Sequence, residues 1–196
     1  AEVPPFRTGR LPADRVVQRT RMPRPMSDPY LIYGATGYTA GLAARFAAER
    51  GQKPILAGRR PGPIRALAES LGLEHRTFGL DDPRALDRGL EGMKVVLHCA
   101  GPFAHTWRPM AEACLRTGTH YLDITGEPLV FESLHARDAE ARAASVMLLP
   151  GAGFDVVPSD CLAAHLKRRL PTARRLCLAF RALGGTIVAD EAYGEG

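Results

Sequence analysis

The stretch YLIYGATGYTA, residues 30–40, decides the fold of this chain. Its first four residues form an apolar run that predicts a buried strand, and the G-x-x-G-x-x-A string that follows opens a predicted helix. In that context Gly34 permits a tight turn, Gly37 lets the backbone approach a phosphate closely, and Ala40 lets the helix pack close to the strand. The pattern indicates a dinucleotide-binding loop. The alternative is a plain strand–turn–helix joint without a ligand.

The candidate phosphate-binding residues all lie in this loop or at the start of the helix: Gly34, Ala35, Thr36, Gly37, Tyr38 and Thr39. The second predicted strand, 54–57, runs into Gly58, Arg59 and Arg60. An NAD site would place an acidic residue here to bind the ribose 2′-hydroxyl, whereas guanidinium groups suit a 2′-phosphate. We therefore expect NADP(H) as the cofactor, with NAD(H) less favoured. The alternative is that both arginines are ordinary surface residues.

Beyond the loop, short apolar runs alternate with helical patterns. Strands are predicted at 30–33, 54–57, 75–78, 94–100, 120–124, 146–149 and 174–180. Helices are predicted at 40–50, 63–71, 109–117 and 129–144, with two more that begin at an Asp82-Pro83 cap and at a Ser159 cap and end at Gly92 and Arg169. This alternation predicts an α/β fold, a Rossmann-type doubly wound and mostly parallel sheet with helices on both faces.

Three later strands also end in loop residues. In an open parallel sheet, ligands lie beyond the carboxyl ends of the strands, so the loop after the 94–100 strand should form a wall beside the cofactor from Ala100, Gly101 and Pro102. Glu127 and Asp155 are the ionisable groups best placed near the reacting end. The alternative is a structural role, with Asp123 and Asp155 acting as loop or helix caps.

No residue pattern identifies a proton donor or a metal site. His98 lies within a predicted strand, where packing is favoured over catalysis, and neither His105 nor His120 has a metal-binding or nucleophilic partner in the sequence. The Tyr-x-x-x-Lys pair of short-chain dehydrogenases is absent from the sequence. The cysteines form no C-x-x-C pair, and we interpret all of them as buried free thiols: Cys99, Cys114, Cys161 and Cys177.

The charge of the 196-residue chain is uneven. The net charge is +5, but six arginines and only two acidic residues lie within residues 1–25. A nucleic-acid-binding domain needs its basic face on the fold itself, so nucleic acid is not an expected partner. Residues 1–27 are predicted to be a disordered, basic, Pro/Arg-rich leader. With no apolar stretch of membrane-spanning length and no secretory signal, a cytoplasmic location is expected.

Five motifs together resemble the saccharopine dehydrogenase-like oxidoreductases, and in particular the bacterial branch that includes the mycobacterial trans-acting enoyl reductases. They are GATGYTA (34–40), LAGRR (56–60), HCAGPF (98–103), THYLDITGE (119–127) and LLPGAGFDVVPSD (148–160). The resemblance implies a Rossmann domain that binds a nicotinamide cofactor and transfers hydride to an activated C=C or C=N bond, such as that of an enoyl intermediate. It implies cofactor contacts for Gly34, Gly37, Arg59 and Gly101, but no catalytic residue. His98 stands where the family has Asn.

The resemblance also bears on domain organisation. Residues 28–181 are expected to form the dinucleotide-binding domain, and residues 182–196 to be a remnant or the start of a missing substrate domain, because the resemblance ends near 184 and family members are about twice as long. A chain truncated in this way would expose apolar surface and self-associate. A non-catalytic dinucleotide-binding or redox-sensing module is the alternative function.

Overall fold

The computed structural model describes residues 28–154 and 156–177. Its strands are β1 (Tyr30–Tyr33), β2 (Ile55–Gly58), β3 (His75–Thr77), β4 (Val95–His98), β5 (His120–Asp123) and β6 (Leu148–Leu149). Its helices are α1 (Tyr38–Glu49), α2 (Pro61–Leu71), α3 (Pro83–Leu90), α4 (Phe103–Thr117), α5 (Pro128–His135), α6 (Asp138–Ala143) and α7 (Val157–Arg169). Strands and helices therefore alternate along most of the described chain, as the sequence predicts.

The six strands form one parallel sheet in the order β3-β2-β1-β4-β5-β6. This is the strand order of the Rossmann fold, in which the direction of winding reverses between β1 and β4. The reversal sends the connections after these two strands to opposite faces of the sheet. A crevice therefore opens at their carboxyl ends, and the candidate site lies there.

Two hydrophobic cores cover the two faces of the sheet. Successive side chains of a strand point to opposite faces, so Ile32 and its neighbour Leu31 belong to different cores. The Ile32 core packs against α1 and α2 through Ala40, Ala44, Ile64 and Ala68. The Leu31 core packs against α3, α4 and α5 through Leu86, Met110 and Val130. The predicted doubly wound α/β fold is therefore confirmed.

The predicted 109–117 and 129–144 helices differ from the observed ones because of tertiary contacts. Helix α4 begins at Phe103 rather than at Pro109, which lies inside the helix. The predicted 129–144 helix is divided into α5 and α6, with the break at Ala136 and Arg137. At this break the Arg137 guanidinium pairs with Glu112 of α4 at 3.4 Å, and with Glu140 of α6 at 2.7 Å.

The carboxyl-terminal part of the described chain also departs from prediction. Helix α7 begins at Val157, so Ser159 is not its N-cap; the Ser159 hydroxyl donates to the Val156 carbonyl instead (2.9 Å). Of the predicted 174–180 strand, residues 174–177 are irregular and the others lie outside the described residues. The predicted leader 1–27 and the segment 182–196 also lie outside them.

Helix α7 buries none of its side chains. Apolar residues on it are exposed, among them Leu162 and Leu166. The interpretation of all cysteines as buried is wrong here, because Cys161 lies on this helix and Cys177 follows it in irregular chain, both exposed. Cys114 is buried and Cys99 half-buried. Self-association through exposed apolar surface stays a prediction.

Among the described helices, none has the length and apolar character that crossing a membrane would need.

Candidate functional site

A cleft of about 810 Å³ opens at the carboxyl ends of β1 and β4, where the connections after these two strands diverge. Four segments line it: the loop after β1, the end of β2, the loop after β3, and the loop after β4 with the first turn of α4. The lining residues are Tyr33, Gly34, Thr36, Gly37, Gly58, Arg59, Arg60, Gly79, Leu80, Asp81, Cys99, Ala100, Gly101, Pro102, His105 and Thr106.

The loop after β1 is a tight turn that requires glycine. Gly34 has a φ of +80°, and a Cβ at this position would lie 3.0 Å from the backbone nitrogen of Ala100. The N–H groups of Gly34 and Ala35 both donate to the Ala57 carbonyl of β2, at 2.8 and 3.1 Å. The N–H of Gly37 donates back to the Gly34 carbonyl at 2.8 Å. The turn is thus hydrogen-bonded to β2 on one side and lies close to the loop after β4 on the other.

The start of α1 fits an anionic group. Its N-cap is Gly37, which has no side chain to cap the helix, and its first turn contains no acidic residue. The N–H groups of Tyr38, Thr39 and Ala40 have no partner within the helix, because the first turn of any α-helix leaves them unpaired. Such a helix end carries partial positive charge and presents donors to a phosphate.

Two basic side chains flank this helix start. Arg59 and Arg60 follow β2 and are exposed at the cleft, and the Arg60 Nη2 lies 3.4 Å from the Thr36 hydroxyl oxygen. The guanidinium of Arg60 therefore reaches over the glycine loop. These positions suit a second phosphate close to the first one.

The loop after β3 also lines the cleft, through Gly79, Leu80 and Asp81. The Tyr33 hydroxyl donates to the Phe78 carbonyl at 3.0 Å and so ties the loop to β1. Asp81, from the same loop, brings a carboxylate into the cleft beside Gly79. Burial raises the pKa of Tyr33 to about 12; the charge of Arg59 lowers it and that of Asp81 raises it.

The loop after β4 is fixed by a short chain of hydrogen bonds. The Thr106 hydroxyl donates to the Ala100 carbonyl at 2.6 Å, so that it accepts from His98 Nε2 at 3.1 Å. Burial lowers the pKa of His98 to about 3. The ring is therefore neutral and donates from Nε2, while Nδ1 has no partner among the described residues. The prediction that His98 packs inside the fold is confirmed.

The candidate carboxylates have structural partners. Both Glu127 oxygens accept backbone N–H groups at the start of α4. Asp123 is fully buried and accepts from the Tyr121 hydroxyl at 2.6 Å and from the Gly151 N–H at 2.8 Å. Neither residue lines the cleft. Asp155 lies outside the described residues.

Of the other two histidines considered in the sequence analysis, His105 lines the cleft and is exposed. His120 lies away from it, and its Nδ1 accepts the Met147 N–H at 3.0 Å.

The cleft brings together most of the predicted cofactor residues. Eight of them line it: Gly34, Thr36, Gly37, Arg59, Arg60, Ala100, Gly101 and Pro102. The Ala35 side chain is buried beneath the loop, while Tyr38 and Thr39 start α1 outside the lining. Sequence reasoning missed Asp81 and Thr106. Asp81 follows the predicted 75–78 strand and directly precedes the Asp82-Pro83 cap. Its place just after the end of a strand is the signal that could have identified it.

Residues 30–149 match the family model described as the saccharopine dehydrogenase NADP binding domain. The match covers both the glycine loop and the arginine pair, as well as all six strands of the sheet. It confirms the prediction that the cofactor is NADP(H).

Two mycobacterial proteins are similar to the chain, and each is named trans-acting enoyl reductase. The one from Mycobacterium leprae is 35% identical over 150 residues, and the one from Mycobacterium ulcerans is 32% identical over 148 residues. In both cases the alignment covers 71% of this chain and 35% of the relative. The chain thus spans about a third of the length of the relatives it matches.

The fold is also similar to that of apo saccharopine dehydrogenase (L-Glu forming) from Saccharomyces cerevisiae. The TM-score is 0.64 at 20% sequence identity, and the match covers 74% of this chain and 32% of the yeast chain. At this level of identity, the likeness concerns the fold alone.

Proposed function

Because the chain belongs to the family of saccharopine dehydrogenase NADP-binding domains, we propose that it supplies the cofactor site of an NADP(H)-dependent oxidoreductase. One observation carries the proposal. The uncapped start of α1, at Gly37, and the arginine pair after β2 line the same cleft. A single ligand with two separate phosphate groups can therefore contact both.

Each wall of the cleft has a role in this proposal. The pyrophosphate lies on the turn and helix start formed by Gly34, Ala35, Thr36, Gly37, Tyr38 and Thr39, where the N–H groups of the last two are free to donate. Arg59 and Arg60 bind the 2′-phosphate. The remaining wall, against the rest of the dinucleotide, is formed by Ala100, Gly101 and Pro102.

The proposed reaction is reduction of an activated C=C or C=N bond, such as that of an enoyl intermediate. The names of the two mycobacterial relatives support this substrate class. When bound, the reduced nicotinamide supplies the hydride. The contribution of this chain is to bind and orient the dinucleotide at the carboxyl ends of β1 and β4. A cytoplasmic location stays a prediction.

A second candidate function is a dinucleotide-binding or redox-sensing module without catalysis. The contacts of Glu127 and Asp123 favour it, because the carboxylate oxygens of both residues already accept hydrogen bonds within the fold. Both functions require the dinucleotide. Only the oxidoreductase consumes the reduced cofactor when an enoyl substrate is added, and cofactor absorbance measures this.

The binding site is tested by calorimetric titration of the chain with NADPH and with NADH. We expect tighter binding of NADPH. Replacement of either arginine, in Arg59→Gln or Arg60→Gln, should weaken NADPH binding about tenfold, since a charge-assisted hydrogen bond contributes about 1.5–3 kcal/mol and these side chains are exposed. NADH binding should change little, because that ligand lacks the 2′-phosphate.

The matched control is Arg65→Gln, which removes an exposed arginine of α2 that does not line the cleft. Its NADPH affinity should equal that of the wild type. Equal affinities for the two ligands, unchanged in both cleft variants, would exclude the arginines from the site. No binding of either ligand by folded protein would overturn the cofactor site itself.

A further inference from the structure

Glu127 caps a helix from which it is distant in sequence. Its Oε1 accepts the Phe103 N–H at 2.8 Å, and its Oε2 accepts the Ala104 N–H at 2.7 Å. These are the first two N–H groups of α4, whose own N-cap, Pro102, gives no side-chain hydrogen bond. A carboxylate at a helix start is stabilised by the helix dipole. Its charge also disfavours a phosphate at α4, in contrast to the uncapped start of α1.

Glu127 is itself held by a chain of hydrogen bonds. Its N–H donates to the Thr125 hydroxyl at 3.0 Å, and the Thr125 N–H donates to Asp123 Oδ1 at 3.0 Å. The same Asp123 oxygen accepts the Gly151 N–H at 2.8 Å. These bonds join the loops after β4, β5 and β6. The position of the Glu127 carboxylate is therefore fixed by the buried end of β5.

The start of α4 controls one wall of the cleft. Gly101 and Pro102 line the cleft and directly precede the helix. The Thr106 hydroxyl, in the first turn of α4, donates to the Ala100 carbonyl at 2.6 Å. The loop and the first turn are thus one unit, and the Glu127 carboxylate holds this unit by accepting the Phe103 and Ala104 N–H groups.

The direction of the dinucleotide follows from the sheet order and rests on the proposed function. With the 2′-phosphate at Arg59 and Arg60, the adenosine half lies over the ends of β2 and β3. The pyrophosphate then crosses the start of α1, and the other half continues over β4, because the dinucleotide spans the point where the winding reverses. The loop 100–102 therefore faces the nicotinamide half.

We propose that Glu127 is a positioning residue for the nicotinamide half of the cofactor, acting through the start of α4 and the loop 100–102. Glu127 itself does not line the cleft. Loss of the carboxylate releases two N–H groups and lets the loop move, which weakens contacts with the nicotinamide half and leaves the adenosine half unaffected.

The test compares two ligands, NADPH and adenosine 2′,5′-bisphosphate, which lacks the nicotinamide half. Each is titrated into the wild-type chain, Glu127→Gln and Glu127→Ala. In Glu127→Ala, we expect NADPH binding to weaken about tenfold, which corresponds to about 1.4 kcal/mol, and bisphosphate binding to stay within about twofold. Glu127→Gln keeps one acceptor oxygen, so its NADPH affinity should lie between those of the wild type and Glu127→Ala. The fluorescence of bound NADPH should change most in Glu127→Ala and less in Glu127→Gln.

The control is Glu132→Gln, which removes an exposed carboxylate of α5 and should leave both affinities unchanged. Equal weakening of the two ligands in a Glu127 variant would overturn the inference, because the effect would then extend to the whole domain. Unchanged NADPH binding in both variants would also overturn it. If the wild type binds neither ligand, the proposed function fails instead.

Discussion

Gly34 lies so close to Ala100 that a Cβ at residue 34 would come within 3.0 Å of both the backbone nitrogen and the Cβ of Ala100. Gly34 also has a φ of +80°. The Gly34→Ala variant should therefore lose about 1–3 kcal/mol of unfolding free energy from backbone strain, and more from the contact with Ala100. It should also lose NADPH binding. Urea unfolding and ligand titration measure the two effects.

Variants at two other glycines distinguish the cost of backbone strain from the cost of the close approach to Ala100. Gly72 has a φ of +64°, and a Cβ at this position would meet no atom within 4 Å, so Gly72→Ala shows the cost of strain alone. Gly51, which follows α1, has a φ of +70° and open space as well, so Gly51→Ala should show a similar cost. If Gly34→Ala costs no more than Gly72→Ala, the approach to Ala100 is not a constraint.

His98 should make the stability depend on pH. Burial lowers the pKa of His98 to about 3 in the folded chain, whereas the unfolded chain has the ordinary value of about 6.5. Between these values the unfolded chain binds a proton that the folded chain does not. The contribution of His98 to the unfolding free energy is therefore fully present above about pH 6.5, and between pH 6.5 and pH 3 it falls by about 1.4 kcal/mol per pH unit.

Urea unfolding at several pH values checks this dependence. His98→Asn removes the titrating group and should give a flatter dependence, with lower stability at neutral pH because the ring contacts with Tyr33, Phe103 and Tyr121 are lost. His135→Gln, which removes an exposed imidazole, should keep the His98 slope. An unchanged slope in His98→Asn would assign it to other groups.

The buried end of β5 depends on one carboxylate. Asp123 accepts hydrogen bonds from the Tyr121 hydroxyl, the Thr125 N–H and the Gly151 N–H. Asp123→Ala leaves these donors unpaired and should cost about 3 kcal/mol or more of unfolding free energy. Tyr121→Phe should cost about 1–2 kcal/mol. The double variant should cost less than the sum, because the two residues share one bond.

Tyr30→Phe is the matched control for Tyr121→Phe, since its hydroxyl donates to Gln52 Oε1 at 2.8 Å in a less buried place. It should cost less than Tyr121→Phe. Additive effects in the Asp123 and Tyr121 double variant would show that the bond between them contributes little.

The cysteines should differ in their reaction with a thiol reagent. Cys161 and Cys177 are exposed and should react rapidly in the native chain. Burial raises the pKa of Cys99 to about 12, with a further contribution from Asp123, and burial raises the pKa of Cys114 as well. At neutral pH both are thiols, and the thiolate is the nucleophile, so half-buried Cys99 should react slowly and buried Cys114 only after unfolding.

Mass spectrometry of the labelled peptides measures each rate. Cys99 lines the cleft, so NADPH should slow its labelling further and leave that of Cys161 unchanged. Labelling of Cys99 as fast as that of Cys161 in the folded chain would contradict the half-buried position and raised pKa of Cys99.

Local sequence patterns were sufficient where local contacts decide the structure. The strand 30–33 and the glycine turn after it are set by apolar residues and by backbone conformation at Gly34, and both were predicted correctly. The start of α3 at Asp82 and Pro83 was also predicted, because the Asp82 carboxylate accepts the Arg84 N–H only two residues away. The placement of Arg59 at the cleft follows from the end of a strand in the same way.

The errors lie where a distant residue decides. Pro109 suggests a helix start, but Glu127 supplies the cap for Phe103 from 24 residues away, so α4 starts earlier. The break before α6 has neither Gly nor Pro to signal it, and Arg137 pairs there with Glu112 of another helix. Neither contact has a local pattern, so both become visible only when the elements are packed together.

The Glu127 cap has a consequence for the order in which the chain assembles. Strand β5 joins the edge of β4, and β6 joins the edge of β5. The contacts that close these additions span only 24 residues for Glu127 and 28 for Gly151. Closing loops as short as these costs little chain entropy, so the cleft wall formed by the loop 100–102 and the start of α4 can form step by step during synthesis. A nascent chain that has reached β4 already holds the strands around Arg59. Its α4 gains a fixed beginning only when β5 has emerged and docked.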